Sequence, residues 1–285
     1  MNLGIIYIVA TPIGNLQDIT LRAIETLKSV DLILAEDTRQ ANKLLSHYGI
    51  KKPVKSFHEH NERNITDTIL SQCLAGSNIA LISDAGTPLL SDPGFYLVKK
   101  AKEAKIAVIP IPGPCALISA LSASGLATDQ FYFGGFVPPK SAQRQAFYER
   151  LCLREETLIF YESTHRIIKS LNDAALIFGE QRQATLAKEI TKIHETIITD
   201  TLENIITWLS SNPAYQKGEF VLLIKGHSTK HVEEINTASI VVDALLLELS
   251  ECMSIKDAAK VAAKLTKTKK NSLYDRLIWL RSNTP

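Results

Sequence analysis

Residues 83–94 have the composition of a ligand-binding loop: Ser-Asp-Ala-Gly-Thr-Pro-Leu-Leu-Ser-Asp-Pro-Gly. They follow the apolar run 79–82, which predicts a buried strand, and they precede 95–104, which predicts a helix. Open α/β sheets bind ligands at the carboxyl ends of their strands. Two glycines allow close backbone approach, two prolines stiffen the loop, and Asp84 and Asp92 offer carboxylate oxygens. The segment therefore predicts a site for a cationic or hydroxyl-bearing ligand rather than for a phosphate.

An ordinary strand-to-helix turn is the alternative interpretation of the same loop. Asp92 would then cap the following helix and Pro93 would occupy its first position, where both residue types are favoured. This interpretation accounts for the end of the loop, but it gives no reason for Asp-Ala-Gly-Thr-Pro at 84–88. We therefore favour the ligand site.

Strand-like and helix-like segments alternate along the first 125 residues. Helix patterns lie between the strand-like runs, and Asp18 is a candidate cap of the first helix. Apolar runs predict strands at 3–10, 31–35, 54–58, 79–82 and 107–111. The alternation predicts a mostly parallel sheet that is covered on both faces by helices.

A second group of strands begins at Phe131 and continues to residue 224. The polar segment 226–236 is interpreted as a linker, and the last fifty residues are predicted to be helical. One of these helices starts with a capping-box pattern of Ser254 and Asp257. The sequence thus predicts the α/β fold class, with α/β domains at 1–125 and 126–226 and a basic helical module at 237–285.

Five polar loops follow the strands predicted for the first domain. Because the carboxyl ends of parallel strands lie along one edge of a sheet, these loops are expected to form one cleft. The loops are 10–16, 36–39, 58–62, 83–94 and 112–116.

The second domain adds two polar segments after strand-like runs. Residues 161–166 could belong to the cleft or could be a strand end followed by a helix start. The charged segment 188–195 has a solvated hairpin as its simpler interpretation. Lys140 and Arg144 could face either a phosphate backbone or water.

Several common kinds of site are absent from the sequence. The first strand is not followed by Gly-x-Gly-x-x-Gly, and neither a P-loop nor a Gly-x-Ser-x-Gly nucleophile elbow occurs. His58 and His60 flank a glutamate, but no third ligand is evident, so we expect no metal site. The four cysteines are too widely spaced for a zinc site and predict free thiols in a reducing cytoplasm.

The charge of the chain is unevenly distributed. The formal net charge is +2, yet residues 256–281 contain eight lysine or arginine side chains against two aspartates. A basic module on a nearly neutral body indicates a polyanion partner, and a solvated helix surface is the alternative. No signal peptide is evident and no apolar stretch approaches about 18 residues, so we expect a cytoplasmic protein without a membrane span.

Taken together, the loop sequences resemble those of the RsmI family in the tetrapyrrole-methylase superfamily. The resemblance runs in order over nearly the whole chain. It rests on Ala-Thr-Pro-Ile-Gly-Asn-Leu at 10–16, Glu-Asp-Thr-Arg at 36–39, Ser-Asp-Ala-Gly-Thr-Pro at 83–88, Ser-Asp-Pro-Gly at 91–94, Pro-Gly-Pro at 112–114 and Phe-Tyr-Glu-Ser at 160–163. It implies two α/β domains of the tetrapyrrole-methylase type with S-adenosylmethionine bound in the cleft between them, and a homodimer.

The activity that the resemblance implies is methylation of RNA. The family transfers a methyl group to the 2′-hydroxyl of a cytidine ribose in small-subunit ribosomal RNA, which we expect to be the substrate within the assembled subunit. By the resemblance, the cofactor contacts Pro12, Gly14, Asp84, Ala85, Gly86, Thr87, Cys115, Ala116, Tyr161 and Glu162.

Activation of a ribose hydroxyl needs a base or a hydrogen-bond acceptor, because the hydroxyl is a poor nucleophile. The candidates for this role are Glu36, Asp37 and Glu189, and Arg39 or Lys188 could bind the adjacent phosphate. The chain departs from the family at three positions near the site. Cysteine replaces serine at 115, threonine replaces proline at 164, and proline replaces arginine at 139.

Two other functions are compatible with the same residues. A methyltransferase acting on a small tetrapyrrole would share the cofactor cleft, although Glu-Asp-Thr-Arg at 36–39 and the basic module favour RNA. A non-catalytic ribosome-assembly factor could bind the cofactor only as a ligand, although the presence of all five loops argues against it.

Overall fold

The computed structural model describes residues 3–227, 238–266 and 270–283. Contacts divide the chain into two compact units, Met1–Gly226 and His227–Pro285. The first unit contains two five-stranded sheets, one on each side of the domain boundary predicted near residue 125. That boundary stays a prediction, because both sheets belong to one compact unit.

The first sheet is wholly parallel, with the strand order β3-β2-β4-β1-β5. Its strands are β1 (Ile5–Val9), β2 (Leu32–Ala35), β3 (Val54–Ser56), β4 (Ile79–Ile82) and β5 (Ala107–Ile111). All four residues of the central β4 are buried, as its unbroken apolar run predicts for a strand covered on both faces. The predicted parallel sheet is confirmed.

Helices cover both faces of this sheet, also as predicted. They are α1 (Leu21–Ser29), α2 (Thr38–His47), α3 (Glu62–Leu74) and α4 (Phe95–Glu103). The next helix, α5 (Ala116–Ala123), packs instead on the second sheet, where Leu117 clusters with Ile159 and Val221. Side chains alternate across β2, so that Ile33 packs in a cluster with Leu27 and Leu45, from α1 and α2. Its neighbour Leu34 packs on the opposite face in a cluster with Ile69 and Leu97, from α3 and α4.

The predicted cap of the first helix is wrong. Asp18 ends a short 3₁₀ turn, Leu16–Asp18, and α1 is capped instead by Thr20, whose hydroxyl accepts a hydrogen bond from the Ala23 amide at 3.1 Å. The chain remains extended between the turn and the helix, so the observed cap lies two residues after the cap that the sequence predicted.

The cap interpretation of Asp92 is also wrong. The N-cap of α4 is Gly94, whose φ of 129° favours glycine. The side chain of Glu62, at the start of α3, accepts hydrogen bonds from the amides of Tyr96 and Leu97 at 2.9 and 3.1 Å. The first turn of α4 therefore takes its acceptor from another helix, and Asp92 has no capping role.

The second sheet has the order β6-β7-β10-β8-β9 and is mixed, because β6 and β7 are parallel and the other pairs are antiparallel. Its strands are β6 (Phe131–Phe136), β7 (Thr157–Ser163), β8 (Gln183–Lys188), β9 (Thr196–Thr201) and β10 (Glu219–Ile224). Strands β8 and β9 form a hairpin, in agreement with the simpler interpretation of residues 188–195.

Three further helices accompany the second sheet: α6 (Ser141–Glu149), α7 (Ile167–Phe178) and α8 (Leu202–Ser211). Seven of the twelve residues of α7 are buried, and six of them recur at the i, i+3, i+4, i+7, i+8 and i+11 spacing of an amphipathic helix: 167, 170, 171, 174, 175 and 178.

A buried ion pair joins α6 to α7. The Arg144 Nε lies 2.8 Å from the Asp173 Oδ2, and Ser141 and Gln145 donate further hydrogen bonds to the same carboxylate. The guanidinium also donates to the carbonyls of residues 138–139, both at 3.2 Å. The side chain is 2% exposed, so it stabilises the loop after β6 and does not face a phosphate or water.

The carboxy-terminal unit is helical where the structure describes it. Its helices are α9 (Ala238–Cys252), α10 (Ile255–Thr266) and α11 (Lys270–Asn283). They pack around Leu246, Ala259 and Leu277. The predicted cap is present, because the Ser254 hydroxyl accepts from the Asp257 amide at 3.2 Å and donates to its carboxylate. In the described ranges we find no helix with the length and apolar character that a bilayer span requires.

Candidate active site

A cavity of about 250 Å³ lies between the two sheets of the first unit. Loops after β1, β4 and β5 form one wall, and residues of β6, β7, β10 and the hairpin after β8 form the other. The first wall contains Ile13, Asp84, Ala85, Gly86, Thr87, Leu90, Ser91, Asp92, Cys115 and Ala116, and the second contains Phe136, Tyr161, Glu162, Ile190, Glu219, Phe220 and Val221.

Hydrogen bonds join the three loops of the first wall to one another. Thr11 and Gly86 exchange two main-chain hydrogen bonds, at 2.8 and 3.0 Å. The Thr11 hydroxyl donates to the carbonyl of Ser83 at 3.2 Å, and the Thr87 hydroxyl donates to the carbonyl of Pro114 at 3.0 Å. The loop after β4 is therefore held from both sides, and this wall of the cavity is preorganised.

The second half of the 83–94 loop has a strained backbone. Leu89 and Ser91 both have a φ of 73°, in the left-handed region that is unfavourable for residues with a side chain. Such conformations cost about 1–3 kcal/mol each and persist where the surroundings impose them, often at functional sites. Here they flank Leu90 and precede Asp92, both of which line the cavity.

Carboxylates dominate the charge at the first wall. Burial, together with repulsion from Glu36 and Asp84, raises the pKa of Asp92 to about 6, although a hydrogen bond from Ser83 opposes the shift. Burial also raises the pKa of Glu36, and repulsion from Asp84 and Glu59 adds to the effect. Neither lysine nor arginine occurs among the described residues that line the cavity. The electrostatics thus favour a positively charged ligand.

Glu162 brings a buried carboxylate to the opposite wall. Its Oε1 accepts a hydrogen bond from the Ser163 amide at 2.8 Å and forms an ion pair with the Arg166 Nη2 at 3.0 Å, whereas Oε2 has no hydrogen-bond partner. A buried acceptor without a partner is costly, and a ligand that donates a hydrogen bond would remove the cost. The neighbouring Tyr161 packs edge-to-face on Phe136, with 5.5 Å between ring centroids, and burial raises its pKa to about 12.

Eight of the ten residues predicted to contact a cofactor line the cavity: Asp84, Ala85, Gly86, Thr87, Cys115, Ala116, Tyr161 and Glu162. The other two, Pro12 and Gly14, flank the lining residue Ile13. A Cβ on Gly14 would lie 2.5 Å from the Lys192 Cγ and 2.9 Å from the Thr191 Oγ1. This glycine therefore allows the loop after β1 to approach the hairpin after β8.

Asp37 and Arg39, predicted catalytic residues, bind each other. The Arg39 Nη2 lies 2.9 Å from the Asp37 Oδ2, and the arginine side chain is 87% exposed. Hydrogen bonds from Arg39 lower the pKa of Asp37 to about 2, so its carboxylate is a weak base. The Asp37 amide donates to Asp84, and this contact places the pair beside the cavity wall.

The last two predicted catalytic residues are Glu189, which is held by structural contacts, and Lys188, which is buried. Glu189 accepts hydrogen bonds from Lys192 and from the Glu219 amide, both at 2.9 Å. Burial raises the pKa of Glu189, but these hydrogen bonds outweigh burial, and the pKa lies below its ordinary value. Lys188 is buried at the end of β8. Of the three carboxylates predicted as bases, only Glu36 has a raised pKa.

Part of the cavity wall was not predicted from the sequence. Phe136, Ile190 and residues 219–221 line the cavity without any local motif. The last group reaches the site because β10 pairs with β7, so that Phe220 lies opposite Glu162. That pairing joins strands more than fifty residues apart, and no sequence signal indicates it.

Comparisons with known proteins agree with this architecture. Residues 5–206 match the family described as Tetrapyrrole (Corrin/Porphyrin) Methylases, and residues 236–281 match the RsmI C-terminal HTH domain. The protein named Ribosomal RNA small subunit methyltransferase I in Haemophilus influenzae is 52% identical over 272 residues, which cover 95% of each chain. The protein of the same name in Escherichia coli O157:H7 is 46% identical over 271 residues, which cover 95% of this chain and 93% of that one.

Solved structures show the same fold at low sequence identity. Diphthine synthase matches with a TM-score of 0.60 and 13% identity, over 78% of this chain and 90% of that one. The uroporphyrin-III-C-methyltransferase of Thermus thermophilus matches with a TM-score of 0.54 and 18% identity, over 78% of this chain and 94% of that one. These two similarities concern the fold alone.

Proposed function

Since this chain belongs to the tetrapyrrole methylase family and within it to the RsmI group, we propose that it is a methyltransferase of small-subunit ribosomal RNA. The methyl donor is S-adenosylmethionine and the acceptor is the 2′-hydroxyl of a cytidine ribose. The observation that carries the proposal is the carboxylate-lined cavity between the two sheets, in a chain 52% identical to a protein named for this class of substrate.

The cavity fits the donor by its charge and its hydrogen-bonding groups. Asp84 can stabilise a positive charge, and the free Oε2 of Glu162 can accept a hydrogen bond from an amino or hydroxyl group. Phe136 and Val221 offer apolar surface to an aromatic base. When bound, S-adenosylmethionine supplies a methyl group that is activated by the sulfonium charge.

The task of the protein is then to align the acceptor hydroxyl. Methyl transfer is an in-line displacement, so positioning supplies much of the acceleration. The hydrogen-bonded loops after β1, β4 and β5 provide a rigid wall for this purpose. The exposed Arg39 is placed to bind a phosphate near the cavity, whereas the buried Lys188 is not accessible to one.

The carboxy-terminal unit supplies positive charge for binding RNA. Lys256, Lys260 and Lys264 are exposed and lie four residues apart, so they form one stripe along α10. Arg276 and Arg281 on α11 are held by groups on α9, the first through an ion pair and the second through a main-chain carbonyl. The lysine stripe is therefore better placed than these two arginines to bind phosphates.

Transfer of labelled methyl to small ribosomal subunits tests the proposal. The subunits are taken from cells that lack this protein, and free ribosomal RNA serves as a second substrate. We expect label on one ribose, with a linkage that resists alkali. Label on a base would contradict the ribose assignment, and transfer to a porphyrinoid but not to subunits would favour a tetrapyrrole methylase instead.

Two further properties stay predictions: a homodimer and a cytoplasmic location. The mass of the protein in solution and fractionation of cells are the corresponding measurements. A factor that binds S-adenosylmethionine but transfers no methyl group to any of the tested acceptors would instead act without catalysis, as a ribosome-assembly protein would.

A further inference from the structure

The geometry points to Asp92 as the general base, the carboxylate that accepts the proton of the ribose hydroxyl during methyl transfer. This inference rests on the function proposed above and deepens it, because it names the catalytic group. None of the three carboxylates that the sequence predicted for this role combines access to the cavity with a raised pKa.

The Asp92 carboxylate neither caps a helix nor forms an ion pair among the described residues. Its predicted role as the cap of α4 is taken by Glu62, which accepts the hydrogen bonds of the Tyr96 and Leu97 amides. In the part of the chain that the structure describes, no lysine or arginine forms an ion pair with Asp92. The polar group beside it is the Ser83 hydroxyl, which also donates to the carbonyls of Ala85 and Gly86. Its carboxylate therefore remains available to a ligand.

The backbone brings Asp92 to the cavity at a cost. Leu89 and Ser91 adopt positive φ angles just before it, and the chain returns to the helix through Gly94 at a φ of 129°. A Cβ on Gly94 would lie 2.7 Å from the Leu81 Cδ2, so the turn is closely packed against β4. This strained and closely packed turn fixes the position of a half-buried carboxylate.

The groups around Asp92 keep its carboxylate basic. Glu36, from the end of β2, and Asp84, from the same loop, repel its negative charge. Tyr161 on the opposite wall remains a neutral phenol at neutral pH. Burial, the largest cause, and these neighbours together raise the pKa of Asp92 to about 6, so near pH 7 the group is mostly ionised and yet more basic than an ordinary aspartate.

The other candidates fail on geometry or on basicity. Asp37 is bound by Arg39 and has a pKa of about 2. Glu189 is bound by Lys192 and does not line the cavity. Glu36 has a raised pKa, but it too is absent from the cavity wall, and its charge acts on Asp92 instead.

The proposed step is balanced without any further reactant. The oxygen of the ribose hydroxyl forms a bond to the methyl carbon while the bond between that carbon and the sulfonium sulfur breaks. The sulfur takes the electron pair and becomes a neutral thioether, and the hydroxyl proton moves to the Asp92 carboxylate. Asp92 is partly exposed, so it can return the proton to water after the product leaves.

Single-turnover methylation of small subunits by Asp92→Asn tests the assignment. We expect the rate constant to fall about 100-fold, as for loss of a general base, while the dissociation constant of S-adenosylmethionine changes less than about threefold. Asp67→Asn, on the exposed surface of α3, is the matched control and keeps the normal rate. An unchanged rate in Asp92→Asn, or a loss accounted for by weaker cofactor binding, would overturn the assignment.

Titration of the unaltered protein gives a second readout that does not depend on a variant. We expect the ¹³C-labelled carboxyl of Asp92 to titrate at about pH 6, and the single-turnover rate to rise tenfold per pH unit below that value and then level off. A midpoint near pH 4 would overturn the inference. If the unaltered protein methylates no ribosomal subunit, the proposed function itself is wrong; normal transfer by Asp92→Asn refutes only the base.

Discussion

The main-chain amide of Asp37 donates a hydrogen bond to the carboxylate of Asp84, with 3.0 Å between the nitrogen and Oδ1. The two residues lie 47 positions apart in the sequence, at the ends of the neighbouring strands β2 and β4. The bond connects the loop that contains Arg39 to the loop that lines the cavity. Asp84 therefore has two roles, as a charge facing the ligand and as an acceptor that holds a second loop.

Two substitutions at Asp84 separate these roles. Asn retains an oxygen for the Asp37 amide and removes the charge, so we expect Asp84→Asn to weaken S-adenosylmethionine binding about tenfold with little loss of stability. Asp84→Ala also removes the acceptor and should cost about 1 kcal/mol more in the free energy of unfolding. Calorimetry and urea denaturation measure the two effects; equal stability of the variants would show that the hydrogen bond contributes nothing.

Asp92 should make the protein less stable as the pH rises. Its folded pKa of about 6 lies above the ordinary 3.8, so the native state binds more protons than the unfolded state between these values. The contribution of Asp92 is therefore lost as the pH rises from about 4 to 6. Because solvent screens a half-buried group, we expect Asp92→Asn to be more stable by roughly 1 kcal/mol at pH 7, and by almost nothing below pH 4. Urea denaturation of both proteins across this range measures the difference, and a constant difference would contradict the shift.

The Arg144–Asp173 ion pair should contribute strongly to the stability of the protein, because it joins α6 to α7. Asp173→Ala leaves a buried guanidinium without its carboxylate, and we expect a loss of about 3–5 kcal/mol in the free energy of unfolding. Replacement of both residues, as Arg144→Met with Asp173→Leu, leaves no buried charge and should cost much less than the single change. A double variant that is as unstable as the sum of the single variants would indicate independent contributions.

The lysine stripe on α10 should determine how binding to small subunits depends on salt. We expect glutamate at Lys256, Lys260 and Lys264 to weaken binding and to make the slope of log K against log salt less negative by roughly 2–3. The cofactor affinity should not change. The matched control reverses the charge of three exposed lysines near the amino ends of the strands of the first sheet: Lys28, Lys51 and Lys102 become glutamate. Equal losses in both triple variants would mean that only the net charge matters.

Local sequence was sufficient to predict the first sheet and much of the cavity wall. The strands β4 and β5 have the bounds that their apolar runs predicted, because continuous apolar segments between turn residues define buried strands. The loop 83–94 could likewise be recognised from consecutive residues, because its glycines, prolines and aspartates are adjacent in the sequence. Once the sheet is parallel, its geometry brings such loops to one edge without further information.

Tertiary structure decided the chemical environment of those residues. The sequence contains Asp92, but Glu62 from another helix removes its capping role, and Glu36 and Asp84 raise its pKa. The burial of Arg144 depends on Asp173, 29 residues away. Such contacts join segments that are distant along the chain, and burial, which sets the strength of charges, is a property of all packed segments together. The sequence by itself determined that the loops after β1, β4 and β5 reach the cavity edge, because the ends of parallel strands share that edge. Only the folded chain determined which carboxylates near that edge are basic, paired or buried.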